Sequence, residues 1–161
     1  MRSDSNVSFD ASDELLDKGR LKNQIKMAVS QQKAHITLFL TGQGTLFAAG
    51  NRNSHLIPES IHVSDTKPVP IQMPVSGIAI EGVAVGPDHA LAWDSNGNTF
   101  GWGFNKYGCI GVCENNLRSF EVVKSPEIVH SFKCGKVVAC YIVENASFAV
   151  TYQGKIFYWG K

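Results

Sequence analysis

Apolar and polar positions along this chain fall into a pattern that recurs three times. In residues 38–50, 91–103 and 148–160 an apolar run enters a polar turn centred on glycine, and an aromatic-containing run leaves it. An amide side chain (Gln43, Asn96, Gln153) precedes a glycine (Gly44, Gly97, Gly154). An aromatic (Phe47, Phe100, Phe157) follows three residues later, and another glycine (Gly50, Gly103, Gly160) three after that. The central glycines are spaced by 53 and then 57 residues. Each copy predicts a β-hairpin in which the amide–glycine pair supplies residues suited to positive φ. The outgoing strand of the second copy, Ala90-Leu91-Ala92-Trp93, is apolar on both faces with small residues alternating against large ones. Such a strand is buried on both sides, and its small face lets a neighbouring sheet approach.

A second landmark precedes each hairpin. Ala28, Ala84 and Ala139 sit in short apolar segments spaced by 56 and 55 residues, close to the hairpin period, and predict the inner strand of each unit. Between hairpins lie connections with Pro and Asn, residues 51–74 and 105–118, each with room for one further strand and a surface loop. Three or four short strands in every unit of this length predict propeller blades rather than a sandwich. A WD repeat is shorter, roughly 40–45 residues, and a kelch repeat is close in period at roughly 50. Trp93-Asp94 is not repeated, since its counterparts are Leu40-Thr41 and Val150-Thr151, and the chain has no Gly-Gly pair.

The middle copy carries further landmarks. Val83-Ala84-Val85-Gly86-Pro87-Asp88-His89 leads through Gly97 and Gly101-Trp102-Gly103 into Asn105-Lys106-Tyr107-Gly108-Cys109-Ile110-Gly111. This resembles the repeat of the regulator of chromosome condensation family. Its pattern is a Val-Ala-x-Gly-x-x-His start, a Gly-x-hydrophobic-aromatic-x-Trp-Gly centre and an Asn-x-x-Gly-Gln-Leu-Gly end. Cys109 and Ile110 replace the Gln and Leu. The third copy keeps Gly154, Trp159 and Gly160 but has Ala146 where His89 sits. The first keeps Gly44 and Gly50, has Ala49 for the tryptophan, and its His35 falls one residue off register.

The resemblance implies an all-β fold cut from a seven-bladed β-propeller: a partial propeller of about three blades of short antiparallel strands. The expected units are an N-terminal extension over residues 1–24 and repeats over 25–78, 79–134 and 135–161, the last incomplete. The structural repeat residues are Gly44, Gly50, Gly86, Gly97, Trp102, Gly103, Gly108, Gly111, Gly154, Trp159 and Gly160. Propellers have roughly 4–8 blades, so about three repeats leave strand edges and an apolar blade face to be covered. The expectation is a piece of a longer protein, or a chain completed by another.

Composition narrows the partners. Fifteen Lys and Arg against 14 Asp and Glu leave a formal charge of +1. That removes the usual electrostatic reason to expect nucleic acid or an acidic membrane. The cluster Lys18, Arg20, Lys22 and Lys26 reads as a solvated face or arm. No apolar run is long enough to span a bilayer, and the first residues are not built like a secretory signal. The expected location is therefore intracellular, cytoplasmic or nuclear, with Cys109, Cys113, Cys134 and Cys140 as free thiols. In the extension, Ser12 is placed to cap a short helix that Gly19 ends.

Candidate chemistry is sparse. In the resembled family the histidine matching His89 is mostly a structural hydrogen-bonding residue. Members that act as guanine nucleotide exchange factors use acidic and histidine side chains on one propeller face, which makes Asp88 and His89 the candidate partner-binding pair. Cys109, Cys113, His130, Cys134 and Cys140 lack the tight Cys-x-x-Cys spacing of a structural zinc site. No phosphate loop or nucleophile elbow occurs. The expectation is a non-enzymatic protein with no cofactor and no metal, acting as a protein-interaction or scaffold module. Its partners would be proteins, among them a small GTPase or the chain that supplies the missing blades. The alternatives are an exchange factor for a small GTPase and a chromatin-associated module.

Overall fold

The computed structural model of the chain describes residues 24–51, 54–58, 68–112, 121–129 and 135–161. The extension over residues 1–23, where a short helix is expected, most of the basic cluster, and Cys113, His130 and Cys134 lie outside these residues. Among the described residues every sheet is antiparallel and follows chain order. The first blade runs β1 (Ile25–Gln31), β2 (Ile36–Thr41), β3 (Leu46–Gly50) and β4 (Val69–Pro70). The second runs β5 (Ile80–Val85), β6 (His89–Asp94), β7 (Thr99–Phe104) and β8 (Val122–Ile128). The third holds β9 (Val137–Val143), β10 (Ala146–Thr151) and β11 (Ile156–Gly160). Strand β6 is buried along its whole length, as its two apolar faces require. The fold is thus a set of stacked propeller blades. Among the described residues, no helix is long and apolar enough to cross a membrane.

The hairpin turns differ from the two-residue form that an amide–glycine pair suggests. The N–H of Gly44 donates to the Thr41 carbonyl at 3.0 Å, Gly97 to Asp94 at 3.0 Å, and Gly154 to Thr151 at 2.9 Å. The glycines have φ of 82°, 88° and 77°, whereas the amide residues before them stay at negative φ. Each loop is therefore of the three-residue kind, with a single left-handed position. A side chain closes it from inside. Thr41 Oγ1 accepts the Thr45 N–H at 3.1 Å, and Thr151 Oγ1 accepts the Lys155 N–H at 3.2 Å. At the matching position Asp94 Oδ1 accepts the N–H groups of Asn96 and Asn98 at 2.9 and 2.8 Å.

The alanine landmarks fall on the inner strands as expected, and one further expectation is corrected. The alanine landmarks lie on the first strand of each blade but not at one register: Ala28 pairs with Phe39, Ala84 with Leu91 and Ala139 with Val150. Counted from the hairpin glycines they stand 16, 13 and 15 residues upstream, so they are not one position of the repeat. The fourth strand of the second blade lies at Val122–Ile128, beyond the 105–118 connection. It carries Pro126, which an edge strand tolerates because one side of its ladder is free, and the pairing with β7 is irregular there.

The blades stack in sequence. Strand β5 packs on β1 and β2, and β9 packs on β5 and β6. One buried cluster, with Leu38, Leu40, Ala48, Ala90 and Ala92 among its members, fills the first seam. A second, with Leu91, Val137, Cys140 and Ala149, fills the next. Gly44 lies so close to the start of β5 that a Cβ on it would come within 2.6 Å of Ala79 Cα, and the Ile80 N–H donates to the Gly44 carbonyl at 3.0 Å. Gly97 meets the start of β9 in the same way, 2.6 Å from Lys136 Cα.

Candidate functional site

The third strand of every blade has, at or next to its end, a glycine that faces a turn carbonyl. Gly50 lies against the carbonyl of His35, Gly103 against that of Asp88, and Gly160 against that of Asn145, each leaving no room for a Cβ. The same three carbonyls accept the N–H groups of Asn51 at 2.8 Å, Phe104 at 2.8 Å and Lys161 at 3.1 Å. Asp88 thus has a backbone role fixed by the repeat, and its side chain is left at the loop end of the blades.

There it helps line a shallow hollow of about 190 Å³ with Lys33, Asn51, Ser54, His55 and Pro87, between the first and second blades. Small-molecule pockets run to roughly 300–1,000 Å³. The hollow is below that size, and its lining is charged and polar.

His89, the neighbour of Asp88, goes the other way. It is fully buried, and its Nε2 lies 2.7 Å from Ser147 Oγ of the third blade. Ser147 Oγ donates its one proton to the Cys109 carbonyl at 2.6 Å. It can therefore only accept from His89, which places the imidazole proton on Nε2. Burial pulls the imidazole from 6.5 down to about 4, so it is neutral near neutral pH. Among the described residues, its buried Nδ1 has no hydrogen-bond partner. The structure thus separates the candidate pair: Asp88 stands at the hollow, and His89 bridges two blades from within.

The tryptophans at the repeat centre act across the same seams. Trp102 is buried, and its Nε1–H donates to the Leu56 carbonyl of the first blade's loop at 2.8 Å. Trp159 closes on Gly111, where a Cβ would come within 2.6 Å of the indole nitrogen. Gly86 lies beneath Ile142 of the third blade. Gly108 has φ of 75°, and none of the described residues would meet a Cβ there within 4 Å.

The loop carrying Leu56 is a member of the repeat that sequence reading missed. The N–H of Ser54 donates to the Asn51 carbonyl and that of Ile57 to Ser54. The bonds from Gly108 to Asn105 and from Gly111 to Gly108 have the same spacing. Asn51 and residues 54–57 are therefore the first copy's counterpart of 105–111. Ser54 and Ile57 stand in place of the two glycines, and Asn51 was the surviving signal.

The cysteines divide between the seams. Cys109 and Cys140 are both free and buried, in different clusters. Burial pushes the Cys109 thiol up to about 11. It pushes Cys140 to about 12, with a hydrogen bond to Thr99 pulling the other way. Protonated thiols are poor nucleophiles and poor metal ligands.

Antiparallel blades that stack through glycine contacts, with a buried inter-blade histidine and tryptophan, define this as a partial β-propeller. No family model matches the chain. It is similar to Protein RCC2 of Mus musculus, at 33% identity over 107 residues, which is 65% of this chain and 20% of that protein. Its fold is similar to that of human WBSCR16, with a TM-score of 0.71 and 23% identity over 85% of this chain and 33% of that one. It is similar also to Prp20p of Saccharomyces cerevisiae, with a TM-score of 0.68 and 21% identity over 85% of this chain and 33% of that one. The chain's repeats are similar to those of the regulator of chromosome condensation family, and its fold is that of part of such a propeller. It spans about a fifth of the length of the curated relatives it matches.

Proposed function

We propose that these blades form a non-catalytic protein-interaction module that meets its partner at the loop end, around the hollow between the first two blades. The observation that carries this reading is how the polar groups divide. His89, Ser147, Cys109 and Cys140 are spent inside the seams, while Lys33, His55 and Asp88 border a hollow open to a partner. Free, buried thiols accord with an intracellular location. A photo-reactive residue placed at Lys33 or His55 in the intact protein tests the reading. Cross-linking to a protein partner from these positions, and not from Ser95 at the opposite strand end, is expected. Equal cross-linking from both ends would overturn it.

A second reading, guanine nucleotide exchange on a small GTPase, is favoured by one feature: an acidic side chain, Asp88, held at the loop end by its own backbone bond to Phe104. Prp20p is described by its binding to Gsp1p and to histones, which supports GTPase and chromatin partners as candidates for this chain too. In the intact protein, Asp88→Ala would slow release of a fluorescent guanine nucleotide from the cognate GTPase. No release above the spontaneous rate by the unmodified protein removes this reading. Chromatin association would require nucleosome binding that weakens with salt, against a net charge of only +1.

A further inference from the structure

The three hairpin turns share an amide–glycine pair, but they differ in chemical stability. The pairs are Gln43-Gly44, Asn96-Gly97 and Gln153-Gly154. Side-chain amides are thermolabile, and asparagine before glycine is the labile case. The glycine nitrogen attacks the asparagine Cγ and closes a five-membered succinimide. Glutamine would have to close a six-membered ring, which forms far more slowly. Glycine favours the attack because it has no Cβ to hinder its nitrogen or restrict its backbone. Asn96 is exposed at the tip of its turn, so water reaches the ring once it has formed.

The labile pair is held from two sides. The Gly97 N–H, whose nitrogen is the nucleophile, donates to the Asp94 carbonyl at 3.0 Å. Asp94 Oδ1 accepts the N–H groups of Asn96 and Asn98 at 2.9 and 2.8 Å, which fixes the peptides flanking the pair. A buried carboxylate so near also opposes loss of the Gly97 proton, because the resulting anion would carry the same charge. In each glutamine turn a threonine hydroxyl accepts one backbone N–H instead. The third blade closes the other side: a Cβ on Gly97 would lie 2.6 Å from Lys136 Cα and from the Val137 nitrogen.

We propose that Asn96-Gly97 is a spontaneous modification site locked by the seam between the second and third blades, converting to isoaspartate when that seam parts. The Gly97 nitrogen bonds to Asn96 Cγ, and the side-chain nitrogen leaves as ammonia with the proton that Gly97 gave up. Water then opens the ring at one of its two carbonyl carbons. Breaking the new bond to Cγ gives aspartate. Breaking the original peptide bond gives isoaspartate, in which the chain runs through Cβ and Cγ. Water is the one co-reactant. Isoaspartate lengthens the backbone by one carbon where Lys136 and Val137 leave no room, so a turn once modified does not re-form the seam. The closed seam therefore protects the residue whose change would prevent its closing. The site lies at the opposite strand end from the hollow and is independent of the function proposed above.

The test is peptide mapping of the intact protein aged in mildly alkaline buffer with and without denaturing urea, isoaspartate being resolved from aspartate. The native protein is expected to convert on the order of tenfold or more slower than the unfolded chain, the worth of about one hydrogen bond. Equal rates would overturn the proposal. Ser147→Ala loosens the same seam at its far end by removing the partner of His89, and it leaves the turn untouched. It is expected to raise the native rate several-fold, and an unchanged rate would overturn the seam as the lock. Asn96→Gln installs the residue of the other two turns and is expected to end conversion at this site. The isoaspartyl fraction, separated by its added charge, is expected to exchange amide hydrogens faster in β9 and at the unmodified rate in β2. Unchanged exchange in β9 would overturn the loss of the seam.

Discussion

The indole N–H of Trp102 donates to the carbonyl of Leu56 at 2.8 Å, joining the third strand of one blade to the loop of the blade before it. Both groups are buried, so the bond is made away from water and its loss leaves a carbonyl without its partner. Trp102→Phe keeps most of the apolar contact and removes the donor. A loss of about 1–3 kcal/mol is expected, the usual cost of stranding a buried polar group. Trp102→Ala should cost about 3–5 kcal/mol, because a cavity is added. The urea midpoints of the two variants check the ranking.

The hairpin glycines offer a comparison within one chain. Gly97 and Gly154 share a left-handed φ, but only Gly97 has backbone of the next blade against it. Gly154→Ala in this chain should cost about 1–2 kcal/mol, the price of a left-handed alanine. Gly97→Ala should cost more, since Lys136 and Val137 must also move. Thermal unfolding of the two variants measures the gap, and equal melting points would show that the glycine contact is not part of the seam.

Asp94 and the threonines at 41 and 151 close the same loop. Asp94 also accepts from Asn98 Nδ2 at 2.7 Å. Asp94→Ala removes every one of these acceptors and should destabilise by about 1–3 kcal/mol. Asp94→Thr installs the residue found in the other two blades and should recover more than half of that loss. Chemical denaturation of the pair decides it.

His89 makes stability depend on pH in a defined window. Its folded pKa is depressed to about 4 from 6.5, so the unfolded chain binds the extra proton between those values. Stability contributed by this site is present above pH 6.5 and is lost as pH falls toward 4. The full loss is about 3 kcal/mol at 1.36 kcal/mol per pKa unit. His89→Gln keeps a donor for Ser147 and does not titrate. The difference in unfolding free energy between this variant and the unmodified protein should therefore slope across that window and flatten above it.

The thiols give a faster measurement. Cys109 and Cys140 are buried and held protonated, at about 11 and about 12. At pH 8 in native buffer, both should escape alkylation by iodoacetamide on a timescale in which denaturant exposes them fully. Peptide mass mapping reads the two sites separately.

Much of the architecture was legible because the repeat is written in backbone requirements. A left-handed turn needs Gly97 whatever surrounds it, and a blocked Cβ needs Gly103. Both leave a mark at fixed spacing. What depends on pairing across blades left none. Nothing near Ser147 marks it as the partner of His89, because the two are 58 residues apart and meet only when the blades stack. The loop of Asn51 and residues 54–57 was hidden for a related reason: Ser54 and Ile57 satisfy the same hydrogen bonds as the glycines of 105–111. Trp93-Asp94 was rightly set aside as a repeat signature, yet Asp94 closes a turn. Its function became visible only beside Thr41 and Thr151.

The three glycines at or next to the ends of the third strands sit against carbonyls rather than against side chains. A joint of that kind is indifferent to what the neighbouring residues become. The first blade has lost its tryptophan and the third its histidine, yet all three keep this joint. The chain therefore has wide freedom to vary what its blades display while holding the angle at which strand meets turn. That freedom lets one scaffold acquire new surfaces without being rebuilt.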